Sequence, residues 1–220
     1  MTSHTILALL AGKIRPLDRG LGSAIAKSAI TGPVRIGFLG IEGDEQADLT
    51  VHGGPDKALH HYPGDHYAHW AGQAVSHPLL NAPGAFGENV STWGLLEDEV
   101  CIGDRFRLGT ALVEISQGRQ PCWKQGARMD WPTLPALMVK TRRSGWYYRV
   151  IEEGVAAEGD MLTLIDRPLR EWTVTRVFGI LIAGDHKRDP AALTHLAAMD
   201  VLFEGWRMRA VELMGYSGRV

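Results

Sequence analysis

From the N-terminus to about Asp166 the apolar residues come in short runs, many of them alternating with polar ones and broken by glycine. Thr5–Ile14, Ser23–Ile30, Val34–Leu39, Lys57–Tyr62, Glu99–Leu108, Ala111–Ser116 and Asp160–Ile165 read as strands. Many short strands with few long helices predict a barrel or sandwich. Two interruptions have helical spacing, Asp65–Ala74 and Thr133–Thr141. Beyond Pro168 the period changes: Thr173–Ala183, Pro190–Met199 and Val201–Met214 space their apolar residues as helices do. Asp189 before Pro190 reads as an N-cap with proline at the first helical position. The expected fold is therefore mainly β, α+β overall, with a barrel over residues 1–168 and a small three-helix module over 169–220.

Composition narrows the function classes. At 220 residues the chain can bury one good-sized core, and 45% hydrophobic with 22% charged residues is ordinary for a globular protein. A formal net charge of −2 gives no broad basic surface, so no nucleic-acid polymer is expected as partner and any anion site must be a local pocket. The longest apolar stretch, Val177–Ala183, is far short of a membrane span, and Ile6–Ala11 lacks the basic lead-in and length of a secretory signal. A cytoplasmic setting is expected. Two cysteines supply neither a disulfide framework nor the four thiolates of an ordinary iron–sulfur cluster. No dinucleotide-binding glycine motif, Walker loop, nucleophile elbow or H-E-x-x-H is present.

Three segments carry chemistry. In Ser116–Lys124 a strand ends and Cys122 follows between two cations, Arg119 and Lys124, a setting that favours thiolate. Pattern alone leaves open a buried, inert thiol. Cys101, in the apolar run Val100-Cys101-Ile102, reads as a core residue. In Val51–Tyr62, Gly53-Gly54 permit a tight bend that brings backbone amides close to a ligand. Strand alternation then puts Lys57, Leu59 and His61 on one face, so Lys57 and His61 are expected to share a pocket; a turn with solvated charges is the other reading. Phe86-Gly87-Glu88-Asn89 offers Asn89 as a hydrogen-bonding partner or as a cap of its own turn. His66 and His69, three apart on a helix, raise the possibility of a zinc site.

Together these segments resemble the MOSC domain, related to the C-terminal part of molybdenum cofactor sulfurases, and within it the stand-alone YiiM-like members. The resemblance is carried by Gly12-Lys13-Ile14, Ser23–Lys27, Gly40–Asp48, His52–Tyr62, Phe86–Asn89 and Ser116–Lys124, in that order. It implies a β-barrel holding a molybdenum–pyranopterin cofactor, with Cys122 as the protein ligand to molybdenum. It also implies activity on N-hydroxylated compounds, of which 6-hydroxylaminopurine is the associated substrate class.

The residues fit that implication. Lys57, Arg119, Lys13 and Lys27 are candidates to neutralise a pterin phosphate. Amides at Gly53 and Gly54, with Asn89 and Gln117, are candidates to serve its ring, and a soft thiolate suits the metal. The expected reaction is two-electron reduction of N–OH to N–H with loss of water, with His61 and His52 as proton donors. Because the chain shows no nicotinamide or iron–sulfur signature, a separate electron donor is expected, a flavoprotein reductase or an iron–sulfur protein. A non-catalytic cofactor or sulfur carrier, and a zinc hydrolase built on the histidines and Cys122, are the alternatives.

Overall fold

The expected run of short strands closes on itself. The computed structural model describes residues 2–17, 20–47, 53–73 and 77–217. Seven strands form the barrel: β1 (Ser3–Ala11), β2 (Leu59–His61), β3 (Val90–Thr92), β4 (Arg105–Leu108), β5 (Ala111–Gly118), β6 (Trp146–Glu152) and β7 (Met161–Asp166). Their order is β7-β4-β5-β6-β2-β3-β1, and β1 pairs back on β7 to close it. One pairing is parallel, β2 with β3, where His61 faces Val90. Parallel neighbours cannot be joined by a tight turn, and the connection between them carries helix α1 (Asp65–Ala71). Smaller ribbons extend the barrel: Val34–Gly37 pairs with Gly40–Ile41 and Gly154–Ala156, and Arg15–Pro16 with Gly22–Ser23.

The β5–β6 connection carries α2 (Trp123–Arg128) and α3 (Leu134–Thr141). With α1 they cover a satellite core in which Tyr62 stacks on Phe86 at 4.1 Å and Trp70, Met129 and Met138 are buried. The tail folds as α4 (Val174–Leu181), α5 (Ala191–Ala197) and α6 (Glu204–Ser217). Thr173 caps α4 by accepting from the Arg176 amide at 3.2 Å, and Asp189 accepts from the Ala192 amide at 3.3 Å. Val177, Phe178, Leu193 and Trp206 join the barrel's Val113, Ile115 and Tyr148 in one continuous core. None of the described helices is long and apolar enough to cross a membrane.

Several sequence expectations need correction. Residues 55–57 form a single 3-10 turn, and strand β2 begins only at Leu59. Ser23–Ile30 is not one strand but two two-residue pieces, Gly22–Ser23 and Ser28–Ala29. Within Glu99–Leu108 only Arg105–Leu108 is strand, and Cys101 makes an isolated bridge to Thr173. Strands β3 and β6 were not expected. β3 is three fully buried residues with no alternation to read. β6 does alternate, with Trp146, Tyr148 and Val150 inside, but Tyr147 and Ile151 on its other face blur the pattern.

The strand β2 places two histidines out of water. His61 lies in the barrel interior, its Nε2 3.1 Å from Thr92 Oγ1, its Nδ1 3.2 Å from the Tyr148 hydroxyl, and its ring stacked on Trp146 at 4.2 Å. Burial, reinforced by the nearby His4 and His66, lowers its pKa from 6.5 to about 3. Burial also holds His60 well below its ordinary value. Both stay neutral in the fold while the unfolded chain binds protons below 6.5. Stability therefore falls as pH drops from 6.5, by about 1.4 kcal/mol per pH unit for each histidine. Denaturant unfolding between about pH 6.5 and 5 should show that slope, and His61→Gln should remove roughly half of it. An unchanged slope in His61→Gln would contradict a neutral, buried His61.

Candidate functional site

The site forms where β5 ends. Gly118 is the last residue of the strand, but the Arg119 amide still donates to Gly145 O at 2.9 Å, so the ladder's geometry carries one residue further. This sets the Arg119 side chain, 5% exposed, close to Tyr147. Its Nε and Nη1 are out of contact with water and have no partner among the described residues. A guanidinium buried with open donors is costly unless an anion answers it, and its planar fork suits two oxygens of a phosphate or carboxylate.

Three residues on, Cys122 is the N-cap of α2 rather than a loop residue. Its amide donates to Gln125 Oε1 at 2.8 Å, and the Gln125 amide donates back to Cys122 O at 3.3 Å. Gln125 is fully buried, so the half-exposed thiol is held in place on the wall of the pocket.

That pocket, a half-open cavity of about 90 Å³, also takes in Lys27, Lys57, His60, Asn89, Lys124 and Tyr147. Lys57 arrives on the 3-10 turn after Gly54, whose φ of 92° suits glycine. Lys27 and Asp44 form a buried ion pair, and Asp44 also accepts from the Gly12 amide at 2.7 Å and from Asn89 Nδ2 at 2.8 Å. Burial pulls the Lys27 pKa down against the pull of Asp44. Asn89 gives its other amide hydrogen to Leu10 O at 3.1 Å and accepts from the His60 amide at 3.1 Å. Its donors are thus consumed in bracing the wall. Gly87, φ 80°, sits where a Cβ would fall 2.8 Å from Ile25, so this side of the pocket needs glycine for close approach. Buried Glu88 holds the same loop by accepting from the Gly84 and Phe86 amides and from the Tyr67 hydroxyl.

Of the residues named from sequence, the structure gathers Cys122, Arg119, Lys57, Lys27 and Asn89 around one cavity. His61 is not there. Because residues 55–57 are a turn, the alternation that paired Lys57 with His61 starts too early, and it is His60 that shares the pocket with Lys57. Lys13 is exposed and does not line the cavity itself, but pairs at 3.1 Å with Glu45, which does. Gly53 and Gly54 shape the turn without lining the cavity, and Gln117 is buried in β5 with its Oε1 unpartnered, also off the lining. His52 lies outside the described residues. His66 binds Glu97 at 2.7 Å and His69 lies 2.8 Å from Gln73 Nε2, and the described residues hold no cluster of three His, Cys, Asp or Glu able to bind a metal. The zinc reading has no donor set there.

Sequence reasoning missed Tyr147 and His60. Tyr147 lies opposite both Gln117 and His60 in the barrel ladders, with its ring 5.3 Å from that of His60. Only the β5–β6–β2 pairing brings them together, and β6 was not read as a strand. Burial raises the Tyr147 hydroxyl above its ordinary pKa, opposed by Arg119, and lowers His60, helped by Arg119.

The model of the MOSC domain matches residues 48–163. The chain belongs to the MOSC-domain family. Protein YiiM of Escherichia coli (strain K12) is 46% identical over 156 residues, 71% of this chain and 70% of that protein. A reductase of Gibberella moniliformis is 38% identical over 181 residues, 81% of this chain but 32% of that protein. The crystal structure of YiiM from Geobacillus stearothermophilus, 33% identical, superimposes with a TM-score of 0.80 over 96% of this chain and 99% of that one. Membership in the MOSC family supports a molybdenum-cofactor-associated function. Arg119, Cys122, Lys57, Asn89 and Tyr147 fall inside the matched MOSC span; Lys27, Asp44 and the helical tail fall outside it.

The two thiols differ sharply in setting. Cys101 is 2% exposed, donates to Arg170 O at 3.5 Å, and burial raises its pKa. Brief treatment of the native protein with iodoacetamide should add one label, on Cys122, and none to the Cys122→Ala variant. Labelling at Cys101 of equal speed would contradict the geometry described.

Proposed function

We propose that this MOSC-domain protein binds a molybdenum cofactor in the Arg119–Cys122 pocket and reduces N-hydroxylated nitrogen to the amine. The observation that carries the reading is the buried Arg119 guanidinium with two unanswered donors beside the Cys122 thiol. A pyranopterin cofactor brings an anionic phosphate and a metal that favours soft sulfur, the two groups this pair is suited to hold. Arg119 would hold the phosphate with Lys57 and Lys124, and Cys122 would be the protein ligand to the metal. The reductase name and 38% identity of the Gibberella relative add support for oxidoreductase chemistry.

The overall reaction converts R–NH–OH, two electrons and two protons to R–NH2 and water. When bound, the cofactor supplies the two-electron redox chemistry. The chain's part is to orient and to supply protons. Among the cavity-lining groups, the Tyr147 hydroxyl, kept protonated by its raised pKa, and the neutral imidazole of His60 would orient the substrate and relay protons that come from solvent. Electrons must come from outside, because the sequence has two cysteines and no dinucleotide motif. A flavoprotein or small iron–sulfur protein meeting the pocket transiently would serve.

The test uses protein made in a host competent for the cofactor, an N-hydroxylated purine, and NADPH with or without a low-potential reductant. Turnover should appear only with the reductant or an added reductase. Steady turnover on nicotinamide alone, or none under any condition, would contradict the reading. Tyr147→Phe should slow the reaction by a factor on the order of 10², and His61→Gln should leave it nearly unchanged. Since His60 is already neutral, the rate should show no histidine inflection between about pH 6 and 8.

A further inference from the structure

Lys57 reaches the pocket from the barrel side, but its ammonium is not held by the barrel alone. Its Nζ lies over the ring of Phe203, 4.6 Å from the centroid. Phe203 sits between α5 and α6, forty residues past the end of the MOSC match at 163. Several contacts fix this stretch against the pocket wall. The Phe203 amide donates to Ser116 O at 3.0 Å, and the Ser116 hydroxyl donates to Asp56 O at 2.5 Å. Arg149 bonds Asp56 Oδ1 at 2.6 Å and Val201 O at 2.9 Å. Residue 56, next to Lys57, and residues 201 and 203 are thus tied to the same two barrel strands, β5 and β6.

Missing side chains make room for this docking. A Cβ on Gly205 would fall 2.5 Å from Phe203 Cε1, so a bare backbone lets the ring lie where it does. On Gly118 a Cβ would come within 3.0 Å of the Trp206 ring. A lysine has a long flexible stem, and an aromatic face that attracts its ammonium narrows where the charge can sit.

We propose that Phe203 is a positioning residue for the pocket, holding the Lys57 ammonium where it adds to the positive field of Arg119, so that the helical module completes a site otherwise built by the barrel. Phe203 itself touches no ligand. The inference rests on the reading of this pocket as the seat of an anionic cofactor group.

The test measures equilibrium binding of inorganic phosphate to cofactor-free protein. Phe203→Leu should weaken binding about 3- to 10-fold, while Phe203→Tyr, which keeps the aromatic face, should stay within about twofold of the parent. In a Lys57→Met background Phe203→Leu should cost nothing further. A purely structural role predicts the same loss with or without Lys57. Unchanged affinity in Phe203→Leu, equal losses in both backgrounds, or no saturable phosphate binding by the parent overturns the proposal. Phosphate binding that follows the expected pattern in a protein that never acquires molybdenum would overturn the functional reading and leave this one standing.

Discussion

A guanidinium shut away from water, with two N–H groups that the described protein does not answer, is the constraint around which this molecule is organised. Arg119 is in that position because its amide continues the β5–β6 ladder to Gly145, which sets the side chain into the pocket wall with 5% of the residue exposed. Its charge then governs its neighbours. It opposes the burial that raises Tyr147, and it adds to the burial that lowers His60. A buried cation without a partner would be a liability in a simple fold. Here it lines a cavity with a thiol on its wall, the arrangement on which the proposed cofactor site rests.

The rest of the structure braces that cavity. The Lys27–Asp44 pair ties the Gly12 amide to Asn89, and Asn89 ties both to the strand bearing His60. Glu88 fixes the loop on the same side, and Gln125 fixes the backbone that carries the Cys122 sulfur. Most polar groups near the pocket are consumed in holding one another. The open donors of Arg119 stand out against that background.

Much of this was legible in the sequence. Short glycine-broken strands followed by three helices gave the architecture, and Cys122 between Arg119 and Lys124 pointed to a segment that lines the pocket. Asp189 marked a helix start by ordinary capping chemistry. What escaped notice depended on pairing between distant strands. Tyr147 carries no local motif, and it enters the site only because β6 lies between β5 and β2. Strand alternation failed at Lys57 for a local reason: Gly54-Pro55 begins a 3-10 turn, which resets the phase and sends His60 rather than His61 to the pocket. Nor could sequence show that Phe203 reaches back over Lys57, since no spacing rule joins residues so far apart.

The central claim is that Cys122 and Arg119 together hold a molybdenum cofactor. It is tested most directly by measuring molybdenum and pterin in protein purified from a cofactor-competent host, for the parent chain and for Cys122→Ala and Cys101→Ala. The account predicts metal and pterin together in the parent and in Cys101→Ala, and loss of molybdenum in Cys122→Ala while the protein stays folded. Equal molybdenum in the parent and in Cys122→Ala would contradict it.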